Sequence, residues 1–189
     1  MIHPRHGLPD HLFNYISSIT PLVNVDVLLA NDQGRIALTW RDDKTYGPGW
    51  HVPGGIVRFK ESILTRIEQV CLLELGISQI SPPNLLQVNQ IMNPYRDYRG
   101  HFISLLFFAS TTEHFDESSS EPLAHGNLRS FTTPPDNLIP QHKRYHSIIE
   151  ALCLSSSVSL KSSSFADVAG NILACYTPLQ EQHVLSHET

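Results

Sequence analysis

Apolar positions along the chain switch between a helical and a strand-like rhythm. Leu12, Phe13, Ile16 and Ile19 recur at helical spacing, with Asp10 near the start, and predict a helix over Pro9 to Ser18. Pro21 to Ala30 is strand-like and closes on the turn signal Asn31-Asp32-Gln33-Gly34, so Arg35 to Trp40 reads as its hairpin partner. Gly47-Pro48-Gly49 breaks the chain, Trp50 to Val52 reads as a short strand, and Pro53-Gly54-Gly55 predicts a tight turn. A helix is expected from about Ser62 to Leu75, with Ile63, Ile67, Val70 and Cys71 along one side and Gly76 as its stop. Leu85 to Met92 and His101 to Ala109 read as two strands joined by the polar loop Asn93 to Gly100. After an acidic, Ser-rich loop, Leu128 to Phe131 reads as a short strand and Gln141 to Leu154 as a helix. The chain thus divides into an N-terminal arm (1–19), an α/β core domain (20–154), and a Ser-rich linker with a helical tail (155–189), in which Phe165 to Tyr176 has helical spacing.

Composition narrows the function classes. The 189 residues suffice for a sizeable core, and a charged share of 16%, against roughly 25% in typical domains, excludes wholesale disorder. A formal net charge of −5 argues against a sequence-independent grip on nucleic acid or on an anionic membrane. The apolar runs fall short of the ~18 residues needed to span a bilayer, and the first residues lack the apolar core of a signal peptide, so a cytoplasmic protein is expected. Cys71, Cys153 and Cys175 are scattered and form no C-x-x-C pair, and the 11 histidines show no H-E-x-x-H pattern. Neither a disulfide framework nor a structural zinc site is predicted.

The informative segment is Gly55-Ile56-Val57-Arg58-Phe59-Lys60-Glu61, then seven residues, then Gln69-Val70-Cys71-Leu72-Leu73-Glu74-Leu75-Gly76-Ile77. It resembles a degenerate Nudix box, G-x5-E-x7-R-E-U-x-E-E-x-G-U with U apolar. Gly55, Glu61, Cys71, Glu74, Gly76 and Ile77 match in register, whereas Gln69, Val70 and Leu73 depart from it. The preceding Trp50-His51-Val52-Pro53-Gly54 is similar to the strand and turn that introduce the box. The resemblance implies a Nudix fold, a mixed β-sheet between helices. It also implies diphosphate chemistry assisted by a divalent cation, Mg²⁺ or Mn²⁺, held by helix carboxylates and loop carbonyls. Glu74 is the only carboxylate left at the box's helical ligand positions, since Val70 stands one turn before it.

Among Nudix proteins the losses most resemble those of the GDP-mannose mannosyl hydrolases, which carry apolar residues where Val70 and Leu73 stand. Ser18 to Asp26, Arg41 and His125 are also similar to segments of that group. The resemblance implies water attack on the sugar anomeric carbon of a nucleotide sugar, with departure of a nucleoside diphosphate. His125 would be the base, Arg41 and the cation the leaving-group stabilisers, and Asp26 a residue at the substrate. Gly54, through its carbonyl, and Glu74 would ligate the metal. Leu8 and Phe13 of the arm would contact the nucleoside, Arg58 would replace a missing phosphate contact near Ile56, and a homodimer is implied. Ala124, where that group has a glutamine ligand, and Phe102, where it has a tyrosine, depart from the pattern. A non-hydrolytic nucleotide-sugar binding module and an ordinary Nudix pyrophosphatase are the rival readings.

Without the resemblance the same residues carry plainer readings. Gly54-Gly55 is a turn, Glu61 a helix-start acid, His125 a solvated loop side chain and Arg41 a surface ion pair with Asp42 or Asp43. His51 and His101 read as strand histidines with ordinary hydrogen bonds, and Cys71 as a small core residue. Asp26 interrupts an apolar strand, where a carboxylate must either reach solvent or meet a partner.

Overall fold

The structure, a computed structural model, describes residues 7–43, 47–119 and 121–159, with the backbone course alone for 155–159. The predicted helical tail Phe165 to Tyr176 lies outside the described residues. The elements in chain order are α1 (Asp10–Ile19), β1 (Leu22–Ala30), β2 (Ile36–Arg41), β3 (Gly49–His51), β4 (Gly54–Ile56), α2 (Ile63–Leu75), β5 (Asn84–Met92), β6 (His101–Ser110), β7 (Leu128–Phe131) and α3 (His146–Ser159). A 3₁₀ helix, Pro140–Tyr145, leads into α3.

The apolar run of β1 makes it the middle of a seven-stranded sheet ordered β3-β2-β1-β6-β5, with β4 added to β1 and β7 to β2. The β1–β6 pair is parallel and the other pairs are antiparallel, which makes the sheet mixed. Strand alternation splits β1 between two cores. Val25, Val27 and Leu29 pack with Ile67, Val70, Cys71 and Leu75 of α2. Leu28 and Ala30 face the other way and pack with Tyr145, Ile148, Ile149 and Leu152. The sheet is therefore sandwiched between α2 on one face and the 3₁₀–α3 segment on the other, as an α/β Nudix fold requires. Among the described residues no helix is long and apolar enough to cross a membrane.

Helix α2 begins and ends where its chemistry says it should. The Ser62 side chain accepts a hydrogen bond from the Thr65 amide at 3.0 Å, and Gly76 takes the left-handed conformation, φ 71°, returning its amide to Cys71 and Leu72. Ser62→Ala is expected to lower stability by about 1 kcal/mol, read as a lower denaturant midpoint at unchanged slope.

Two local expectations need correction. Gly54 and Gly55 do not form a tight turn: with Ile56 they are β4, paired in register Asp26↔Gly54, Val25↔Gly55 and Asn24↔Ile56. A Cβ on Gly54 would run into the Asp26 carboxylate and lie 2.7 Å from the Val25 carbonyl oxygen, so a side chain there would prevent this approach of strand to strand. The helix expected from Gln141 starts instead as a 3₁₀ turn at Pro140, and α3 runs on through Ser159, beyond the expected end at Leu154. Proline at the first turn suits a helix start, because its missing N–H has no helical partner to lose.

Candidate active site

One end of the sheet opens into a cavity of about 710 Å³, within the range of small-ligand sites. Gly7 and Leu8 with Asp10, Phe13 and Ile16 of the arm form one wall, Gly54 to Phe59 with Arg66 a second, and Ile91, Asn93, Arg99, Gly100 and Phe102 a third. Asn24, Asp26, Arg41, His51, Gln141 and His142 complete it. The arm is held across the opening by Arg99, whose guanidinium lies 4.5 Å from the centre of the Phe13 ring and whose amide donates to Ser17 Oγ at 3.1 Å.

Asp26 does not reach solvent. It is 2% exposed, on the β1 face that carries Leu28 and Ala30, and there meets the Tyr145 hydroxyl at 2.7 Å, the Asn24 amide nitrogen at 2.8 Å and the Ser104 hydroxyl. Burial pushes its carboxyl above the ordinary carboxylate range, and the three donors work against that rise. The interruption of an apolar strand is thus satisfied from β6 and from the 3₁₀ turn, both distant in sequence.

On the opposite face Glu61 and Arg66 form a bidentate pair, Nε to Oε2 at 2.9 Å and Nη2 to Oε1 at 2.7 Å, with side chains 10% and 7% exposed. The Arg58 amide adds a third bond to Oε2 at 2.9 Å. Burial would raise the Glu61 carboxyl, but this amide and the Arg66 guanidinium outweigh it and hold the group below its ordinary value. Val70 is buried one helical turn beyond Arg66, and a Cβ on Gly55 would stand 3.2 Å from Val70 Cγ2. Hydrocarbon therefore fills the place under β4 where a second helix carboxylate would stand.

Glu74, in the last turn of α2, reaches His51 on β3, Oε2 to Nε2 at 3.4 Å. His51 Nδ1 bonds the Thr39 carbonyl oxygen at 2.9 Å. His142, from the 3₁₀ turn, accepts the Val52 amide proton on Nδ1 at 2.8 Å. Burial, helped by neighbouring His51, Arg41 and Arg144, holds His142 well below the ordinary histidine value, so the ring is neutral and its Nε2 carries the proton.

The cavity brings together Leu8, Phe13, Asp26, Arg41, Gly54 and Arg58 from the sequence-derived set. Glu74 joins it through His51. Arg41 Nε also pairs with Asp43 at 2.7 Å, both side chains about a third exposed. His125 stands apart: it is exposed, is absent from the cavity wall, and touches the site only through a long contact of Nδ1 with the Asp42 amide, 3.4 Å. That length is too great to fix the ring's tautomer. Sequence reasoning misses Arg66, Ser104, His142 and Tyr145. Only Arg66 carries a local signal, a charge inside the buried stripe of α2 whose partner Glu61 lies five residues earlier.

The NUDIX domain family matches residues 20–151, and the chain belongs to that family. The low-salt glycan biosynthesis protein Agl8 of Haloferax volcanii is 25% identical over 146 residues, which span 75% of this chain and 90% of the relative. The MutT protein of Methanosarcina mazei Go1 superposes with a TM-score of 0.54 at 16% identity, covering 69% of this chain and 94% of its own. A MutT NUDIX hydrolase of Burkholderia pseudomallei gives 0.51 at 21%, covering 69% and 95%. At these identities the structural likeness concerns the fold.

The donor set suits a single divalent cation of the kind this family uses, with one helix carboxylate, Glu74, near a loop that can turn a backbone carbonyl to it. Among the described residues no three His, Cys, Asp or Glu side chains gather as a metal site. Water and substrate oxygens would fill the remaining positions.

Proposed function

We infer that the chain is a divalent-cation-dependent hydrolase of a nucleotide sugar of the GDP-mannose type, releasing a nucleoside diphosphate and the free sugar by water attack at the anomeric carbon. The observation that carries this reading is the single carboxylate left on the cavity side of α2, with Val70 buried where a second would stand. Several cations clustered at the phosphorus need several carboxylates. Departure of an intact diphosphate from carbon needs less: one cation and fixed positive charge at the leaving group. Arg41 and Arg58, on the cavity wall, supply that charge. The similarity to a protein named for glycan biosynthesis supports a sugar-bearing substrate.

In this reading Gly54 and Glu74 hold the cation, which when bound withdraws charge from the departing diphosphate. Leu8 and Phe13 cover the nucleoside, and Asp26, locked by Tyr145, Ser104 and Asn24, orients the substrate beside Gly54. His125 is assigned the base, one residue from the corner at Arg41 and Asp42. A homodimer that shares its arms is part of the same reading.

The test is phosphorus NMR of a nucleotide-sugar panel led by GDP-mannose, with Mg²⁺ or Mn²⁺, in ¹⁸O water. The expected products are nucleoside diphosphate and ¹⁸O-labelled sugar, with turnover falling in His125→Ala. Nucleoside monophosphate and sugar phosphate would identify a pyrophosphatase, and retained binding without turnover a binding module. Unchanged turnover in His125→Ala would move the base into the cavity.

A further inference from the structure

We propose that the His51 imidazole is a second side-chain ligand of the cation held by Glu74, biasing the site from Mg²⁺ toward Mn²⁺, Co²⁺ or Zn²⁺. The inference rests on the cation-dependent reading above. It starts from a hydrogen-bond count. A carbonyl oxygen only accepts, so His51 Nδ1, 2.9 Å from Thr39 O, carries a proton. Nε2 of the neutral ring then presents a lone pair, and 3.4 Å away it meets Glu74 Oε2, also an acceptor. Two acceptors face each other between side chains 10% and 30% exposed, an arrangement that calls for a positive centre between them.

A metal ion meets the geometry. With bonds of about 2.1 Å, two ligands of one ion lie about 3.0 to 3.4 Å apart. Donation of the far ring N–H to a backbone carbonyl is also how proteins hold a ligating histidine in the correct tautomer. Thr39 Oγ1 lies 3.2 and 3.4 Å from the two ring nitrogens, nearly equidistant, and is the sole partner of neither. The fold explains the juxtaposition: β3 pairs His51 with Thr39 on β2, and α2 packs across the same sheet so that its last turn ends at that pair. The strand thus supplies a donor that α2 lacks at Val70 and Leu73. Imidazole suits Mn²⁺, Co²⁺ and Zn²⁺ better than Mg²⁺, which takes oxygen ligands. His142 is the internal control. Its ring centre is 6.0 Å from that of His51, but Nδ1 is occupied by the Val52 amide and Nε2 carries the proton.

The experiment uses the full chain, ¹⁵N-labelled in its histidines, with Mn²⁺ alone as probe at substoichiometric loading. Pulsed EPR reads nitrogen coupling to the metal and continuous-wave EPR reads affinity, for wild type, His51→Gln, His142→Gln and Glu74→Gln. Wild type and His142→Gln are expected to show the coupling. His51→Gln is expected to lose it, with Mn²⁺ affinity down about tenfold or more and Mg²⁺ affinity, read by competition, moved much less. Mn²⁺ binding that depends on Glu74 but shows no nitrogen coupling, or coupling that persists in His51→Gln, overturns the role of His51 and leaves the cation reading standing. No Mn²⁺ binding in wild type overturns both. The wild-type coupling decides the matter even where His51→Gln fails to fold.

Discussion

Glu74→Gln is expected to lower cation-dependent turnover by about 10²- to 10³-fold while leaving the melting temperature near that of wild type. A cation that offsets charge at a leaving group contributes several kcal/mol to the barrier, and each 1.4 kcal/mol or so is a factor of ten in rate. The amide keeps the shape of the side chain but removes the negative charge from the one helix carboxylate that reaches the cavity side. Stability is expected to hold because Glu74 lies in the last turn of α2, where a negative charge opposes the helix dipole, and its side chain is 30% exposed. Kinetics with Mn²⁺ varied at saturating nucleotide sugar, beside a thermal melt, check both halves. Turnover within threefold of wild type would remove Glu74 from the site. An equal loss of activity and of fold would make its role structural.

The parts of this site that were legible in the sequence are those whose chemistry is local. Helix α2 announces itself through apolar spacing, a serine that caps its start and a glycine that ends it, and the box register around it places Glu74 one residue before its end. The two cores follow from the alternation of β1, which also shows that Asp26 shares a face with Leu28. What was not legible depends on distant pairing. Two consecutive glycines signal a turn to any local reading, yet Gly54 and Gly55 are strand because β1 lies beside them with a carboxylate that leaves no room for a Cβ at Gly54. The Tyr145 hydroxyl reaches Asp26 across 119 residues, from a 3₁₀ turn whose apolar pattern predicts only helix. His51 illustrates the same limit. As a strand histidine it looks ordinary, and only the approach of α2 sets its free nitrogen against Glu74. His125 shows the converse, since a matching position in sequence left it on an exposed loop outside the cavity wall.

Glu61→Ala is expected to be the most destabilising single change at the site, costing about 3–5 kcal/mol, because it strands a buried guanidinium. Arg66 is 7% exposed, and its Nε and Nη2 both donate to the Glu61 carboxylate. With total stability of about 5–15 kcal/mol for a typical domain, such a loss leaves a substantially unfolded population near body temperature. Replacing both partners by apolar residues of similar size, Glu61→Leu with Arg66→Met, is expected to recover most of the loss, since the stranded charge and not the missing attraction is the larger part of the cost. The acid limb of the stability curve carries a second signature. The native Glu61 carboxyl is held below its ordinary value of 4.5. The stability it contributes is therefore in full force above that pH and is lost as pH falls below it through the depressed native value. Urea midpoints from pH 7 down to pH 3 should fall less steeply in this apolar double variant than in wild type. Parallel curves would show that this pair, for all its geometry, is not what acid breaks first.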